Sequence, residues 1–348
     1  MDWNEPPRAK DPPDFQDLVT ALQRGIPRRP TLFEFFLHDD LYKRIVPEYE
    51  EFSSEPDMWL QVIITANTRL GYDFTTLVVP NFSFTPPNVR RRAATVSMNE
   101  GGLIHNRRDL DSFPWPNPDE ADYEILNRVC GILPPGMKLI PFTPDGLLEN
   151  AISMVGFDDL CLLIHDDPPF VDDIFEAIGS RLVRYYQRVS QYDSVGACIA
   201  NDDWGFKTST VFSPRDMRRY VFPWYKRIVE LLHAAGKPVI LHSCGYFEKI
   251  IEDIIEEMKF DGRHSYEDNI LPVEEAYERY HDRIAILGGI DMDFLCQSTP
   301  TEIYQRSKAM LERSGFRGSY ALGSGNSIPY YVPDQNYFAM IRAGLDLR

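Results

Sequence analysis

Positive charge is in short supply. The chain has 36 Lys and Arg against 53 Asp and Glu, a formal net charge of −17. A nucleic-acid or anionic-membrane partner needs a basic surface, so the balance argues against both. Cysteine is scarce as well: 5 in 348 residues, without paired spacing. That excludes a disulfide framework and fits a reducing cytoplasm. No apolar run reaches the length of a membrane span. The opening Met1-Asp-Trp-Asn-Glu is acidic and lacks an apolar core, so no signal peptide is expected. No glycine-rich nucleotide fingerprint follows a strand-like run, which weakens the case for a doubly wound open sheet.

Hydrophobic residues, by contrast, make up 43% of the chain, enough for a sizeable core. Residues 1–16 are rich in proline and charge and read as a loose arm, with a single barrel domain expected over 17–348. Apolar runs of strand length recur at Thr31–Phe36, Thr75–Val79, Lys138–Pro141, Val195–Ala200, Pro238–Leu241, Phe260–Arg263, Arg283–Leu287 and Ser319–Leu322. Helical periodicity fills most intervals. Met217, Tyr220, Trp224, Ile228, Leu231 and Leu232 stripe one helix, which Ser213-Pro-Arg-Asp216 starts and Gly236 ends. Thr299-Pro-Thr-Glu302 repeats the starting device. Strands alternating with helices in this number predict a (β/α)8 barrel. The stretch 81–137 interrupts the pattern. It reads as an insertion over the barrel mouth, with a hairpin of Thr95–Met98 against Gly102–His105.

In such a barrel, chemistry gathers where strands end. The most informative run is Pro238-Val-Ile-Leu-His-Ser-Cys-Gly245. Side chains two apart on an extended segment point the same way, so His242 and Cys244 share one side of a strand end. Imidazole and thiolate are both good zinc ligands. A buried Cys beside a merely hydrogen-bonded His is the alternative. The other strand ends give Asn81, Asn201-Asp202-Asp203, His264 with Glu267 and Asp268, Asp291, and Ser324-Gly-Asn326. Any one of these Asp or Asn residues is also a natural helix cap. Glu267 follows the next strand and is the expected third ligand, leaving a position open. Asp202, Asp203 and His264 are candidate catalytic residues. Asn81, Asp291, Ser324 and Asn326 are candidate substrate-binding residues. Phe247, Ile250, Ile251, Ile254, Ile255 and Met258 predict an amphipathic helix after the motif.

The segments Gly236-Lys-Pro-Val-Ile-Leu-His-Ser-Cys-Gly245, Leu287-Gly-Gly-Ile-Asp291, Ser298-Thr-Pro-Thr-Glu302, Gly323-Ser-Gly-Asn-Ser-Ile-Pro329 and Pro333-Asp-Gln-Asn-Tyr-Phe-Ala-Met340 together resemble the uroporphyrinogen decarboxylase superfamily. The resemblance implies a (β/α)8 barrel and one of two activities. One is decarboxylation of a porphyrinogen. The other is methyl transfer between a thiol and a corrinoid supplied by a partner protein. Relatives of the first kind carry an Arg-rich loop after the first strand. Here Thr31-Leu-Phe-Glu-Phe-Phe-Leu-His38 has no Arg, and Asn81 stands where those relatives have Asp. Relatives of the second kind bind zinc through an HxC, matched by His242 and Cys244. They use a Glu further on, near Glu267 or Asp268, and a late Cys, whose place Asn326 takes. The expectation is therefore a cytoplasmic, zinc-activated methyltransferase that takes a methyl group from a corrinoid or methylated substrate. The alternatives are a carboxy-lyase and a non-catalytic small-molecule-binding barrel.

Overall fold

A computed structural model describes residues 2–52, 57–85 and 102–348. Among the described residues seven strands run parallel: β1 (Phe74–Val78), β2 (Lys138–Phe142), β3 (Cys198–Asn201), β4 (Val239–His242), β5 (Gly262–His264), β6 (Ala285–Leu287) and β7 (Tyr320–Ala321). β1 pairs with β2, and β3 to β7 pair in chain order. The bridge Leu139↔Val195 joins the two groups, and Leu32↔Leu322 returns the last strand to the first segment. The arrangement is that of a (β/α)8 barrel whose ladder stays open between the first segment and β1, with strands buried on both faces in the manner of parallel sheets.

The expected strand Thr31–Phe36 is reduced to that single bridge. Phe33 N–H donates to Leu322 O and Leu322 N–H to Thr31 O, both at 2.8 Å. Side chains then take over from the ladder. The Glu34 carboxyl accepts Ser324 N–H at 3.2 Å, and Thr76 Oγ1 donates to Phe35 O at 2.6 Å. With those backbone groups already satisfied, no regular pairing extends toward β1.

Helix signals in the sequence hold where they can be checked. Ser213 caps its helix by accepting Asp216 N–H, and Thr299 with Glu302 forms a capping box. A π-turn, Met217–Val221, sits just before Pro223. Proline has no N–H to close the regular ladder there, which accounts for the wider turn. The helix after the HxC motif is likewise mixed, 3-10 at Glu248–Ile250 and π at Asp253–Glu257. Its stripe of Phe247, Ile250, Ile251, Ile254, Ile255 and Met258 is buried as expected.

Residues 102–137 pack against the long helix Pro168–Val189, with Arg181 over the Trp115 ring and Arg184 paired to Asp119. The first arm of the expected hairpin lies outside the described residues, and Gly102–His105 forms no strand. Trp3 packs on Tyr304, and Ala9 N–H donates to Arg69 O, so the segment before the first helix, Phe15–Leu22, lies against the barrel. Among the described residues no helix is long and apolar enough to cross a membrane. Cys198 is buried, whereas Cys130 is exposed.

Candidate metal centre

Register places the site. Asn201 of β3 stands beside His242 of β4, and His242 beside His264 of β5. All three end their strands on the same rim of the ring. The chain after β4 then meets the chain after β3. Cys244 N–H donates to Asp203 Oδ1 at 2.8 Å, and Tyr246 N–H to Phe206 O at 2.8 Å. Gly245 permits this contact. Its φ is +80°, and a Cβ there would overlap the Gly205 carbonyl. Only glycine suits both the left-handed backbone and the close approach.

These loops gather Asp203, His242 and Cys244, with one ligand atom of each all within 4.8 Å of one another. Cys244 Sγ is 4.0 Å from His242 Nε2. Tetrahedral zinc with bonds of about 2.0–2.3 Å separates its ligand atoms by about 3.3–3.8 Å, so the site would close on an ion with a small adjustment. An N, S and O donor set with one position left open suits a catalytic zinc.

The tautomers of the two histidines follow from their partners. His264 Nε2 lies 3.1 Å from Ser324 O, and a carbonyl only accepts, so Nε2 carries the proton. His264 Nδ1 lies 2.7 Å from His242 Nδ1. Burial pushes the His264 pKa down to about 3 and that of His242 well below its usual value, with the buried Arg263 adding to both. Both rings are therefore neutral near pH 7. His264 Nδ1 is then bare and accepts from His242 Nδ1–H. That leaves the lone pair of His242 on Nε2, the atom nearest Cys244. Hydrogen bonding at one ring nitrogen to expose the other is how metal-binding histidines are commonly held.

Cys244 Sγ accepts from Asn326 Nδ2 at 3.3 Å and from Ser265 Oγ at 3.6 Å. Burial, and then the carboxylate of Asp203, push its pKa up. A cation at the cluster would reverse that balance, because metal coordination deprotonates a thiol.

The remaining candidate residues are held by specific partners. Glu267, the expected third ligand, accepts Gly245 N–H at 3.3 Å and braces the turn, while the carboxylate in the cluster is Asp203. Asp268 is held by Arg306. Asp202 is fully buried and accepts from Leu148 N–H, Glu149 N–H and Trp204 Nε1–H at 2.8–3.0 Å. Two of these donors begin the helix Leu147–Val155, so Asp202 caps that helix from another strand. Burial raises its pKa against those three donors. His264, a candidate catalytic residue, is wholly buried, with its Nδ1 2.7 Å from His242 Nδ1. Asp291 caps the helix Met292–Gln297 and also accepts Asp268 N–H, and Ser324 is buried and fully engaged. Asn81 is exposed in a left-handed turn after β1, a conformation Asn tolerates. Of the four expected substrate-binding residues, Asn326 alone donates to a member of the cluster, Cys244.

Two residues were missed by the sequence reasoning. Arg263 is fully buried on β5, donating to Ser243 O and Ser265 O and lying over the Phe247 ring at 3.5 Å. Glu34 is buried on the first segment. Glu34 is a charged residue inside an apolar run, an interruption that could have found it, whereas Arg263 ends the largely polar stretch Phe260-Asp-Gly-Arg263 and carries no such signal.

Comparison with known proteins matches residues 102–345, well over half the chain, to the family model described as uroporphyrinogen decarboxylase. Uroporphyrinogen decarboxylase of Myxococcus xanthus is 25% identical over 338 residues, covering 88% of this chain and 91% of that protein. A Thermus thermophilus enzyme of the same name is 23% identical over 343 residues, covering 92% and 95%. Among solved structures, a methyltransferase from Methanosarcina mazei superposes with a TM-score of 0.67. It is 16% identical and covers 95% of this chain and 97% of its own.

Proposed function

The chain belongs to the uroporphyrinogen decarboxylase family, and from that premise we propose that it is a cytoplasmic methyltransferase acting on a small thiol. The reading rests on the cluster of Asp203, His242 and Cys244 at the strand ends. A bound zinc would supply Lewis acidity, lowering the pKa of a substrate thiol in the open position. The rest falls to the chain's own groups. His242 offers Nε2, Cys244 its sulfur and Asp203 a carboxylate oxygen. Asn326 and Ser265 donate to the Cys244 sulfur, moderating its charge. The methyl group would come from a corrinoid on a partner protein. The S–CH3 bond forms as the Co–CH3 bond breaks, the electron pair stays on cobalt, and the thiol proton leaves to water.

The second reading is a carboxy-lyase, favoured by the names of the curated relatives. Against it stands the first segment. A polycarboxylate substrate needs guanidinium anchors. Thr31 to His38 carries none, and its one acidic side chain, Glu34, accepts Ser324 N–H. The assay that separates the readings supplies methylcobalamin with a panel of thiols and, in parallel, anaerobic uroporphyrinogen. The expected result is S-methylated thiol, lost in Cys244→Ser, and no decarboxylated porphyrinogen. Porphyrinogen turnover without thiol methylation would overturn the proposal.

A further inference from the structure

Resting on the metal-centre reading above, we propose that Glu34 is a positioning residue for the cluster: a buried neutral carboxyl that fixes Ser324, and through it the groups that orient both His242 and Cys244. Glu34 is 5% exposed. It lies in the layer of three buried tyrosines, Tyr42, Tyr72 and Tyr337, and no cation pairs with it among the described residues.

The proton count at Ser324 carries the argument. Its hydroxyl oxygen is 2.6 Å from Asn326 O and 2.8 Å from Glu34 Oε1. A hydroxyl has one proton. Asn326 O is a carbonyl and can only accept, and it is the shorter contact. With the Ser324 proton directed there, the contact with Glu34 needs a donor, and a protonated carboxyl is that donor. Glu34 also accepts Ser324 N–H at 3.2 Å. It thus grips both the backbone and the side chain of Ser324.

Two arms leave that residue. Ser324 O accepts from His264 Nε2–H, which sets the tautomer of His264 and leaves His242 Nε2 bare. Ser324 Oγ holds Asn326 O, and Asn326 Nδ2 donates to Cys244 Sγ. Glu34 therefore stands behind the nitrogen ligand and the sulfur ligand together while touching neither. Its neighbours add to the effect, since the Phe33 ring lies 5.2 Å from that of His264 and the Phe35 ring 4.3 Å from that of His242.

The test compares full-length wild type, Glu34→Gln, Glu34→Ala and Ser324→Ala. Two readouts are used: imidazole tautomers from long-range 15N–1H NMR, assigned with single histidine variants, and affinity for Zn2+ alone by competition with a chelator. Gln keeps one acceptor and one donor, so it mimics the protonated acid. Expected are wild-type tautomers and zinc affinity in Glu34→Gln. In Glu34→Ala and Ser324→Ala the mixture of tautomers at His264 and His242 should change and zinc affinity should fall about tenfold, the lower end of what loss of outer-sphere support costs. A folded Glu34→Ala with unchanged tautomers would overturn the proposal, as would a Glu34→Gln that behaves like Glu34→Ala. If wild type binds no zinc, the metal-centre reading fails, while the tautomer comparison still decides the part played by Glu34.

Discussion

The ring has two unlike arcs. From β3 to β7 the backbone ladder is continuous, five strands in chain order. From the first segment through β1 and β2 only β1 and β2 share a ladder, and their joins to the rest depend on single bridges and on side chains such as Glu34 and Thr76. The candidate ligands all lie on the continuous arc. The discontinuous arc supplies what backs them: Phe35 against His242, Phe33 against His264, and Glu34 on Ser324. A metal site needs its ligands held to within a fraction of an ångström, which regular pairing of β3, β4 and β5 provides.

The largest expected effect tests whether the continuous arc is indeed a metal centre. Cys244→Ser and His242→Ala should each reduce bound zinc, measured by elemental analysis after dialysis, to under about a tenth of the wild-type content. Retention of zinc in both would move the site elsewhere.

Next comes a contrast within a single loop. Asp202 and Asp203 are adjacent, yet one caps a helix from inside the core and the other faces the cluster. Asp202→Ala should destabilise the fold by about 2–4 kcal/mol, because three donors, two of them buried, lose their acceptor. Asp203→Ala should change the denaturation midpoint little and weaken zinc binding instead. Urea melts of both variants, paired with zinc titrations, check this. Equal loss of stability in the two would erase the distinction.

That pair also marks the limit of what the sequence discloses. Alternation along Pro238–Cys244 put His242 and Cys244 on one side, and the apolar runs located seven of the strands. Neither signal tells which of two neighbouring aspartates turns inward. A one-residue step on a strand reverses the facing of a side chain, and the strand end fell at Asn201. Glu267 looked equally suitable because it follows the next strand, but its carboxylate reaches a backbone N–H first. The bond between His242 and His264 joins residues 22 apart and depends on parallel register, which spacing alone does not fix.

Glu34 gives the discontinuous arc a pH dependence. Burial pushes its pKa up from the ordinary 4.5 to about 8. A carboxyl raised in the folded state contributes stability fully present below about 4.5, and that contribution is lost as pH rises through about 8. Calorimetric melting of wild type should therefore show stability falling across that window by an amount on the order of a few kcal/mol. Glu34→Gln should flatten the Glu34 part of the slope. Identical pH profiles for the two proteins would mean that Glu34 is ionised throughout.

The smallest effect concerns the seam itself. Thr76 Oγ1 donates to Phe35 O at 2.6 Å, across the junction where no ladder forms. Thr76→Val keeps the shape of the side chain and deletes the donor, leaving a buried carbonyl without that partner. A cost of about 1–2 kcal/mol is expected, from the lost hydrogen bond and the unsatisfied acceptor. Phe35 lies against the His242 ring at 4.3 Å, so a loosened seam has a path to the site. If the two arcs are mechanically separate, zinc affinity will be unchanged while stability drops. If Phe35 helps hold the imidazole, affinity will fall by about two- to fivefold, an energy well under the roughly 1.4 kcal/mol that a tenfold change represents. Measuring both quantities in the same variant decides how far the side-chain-bound arc governs the backbone-bound one.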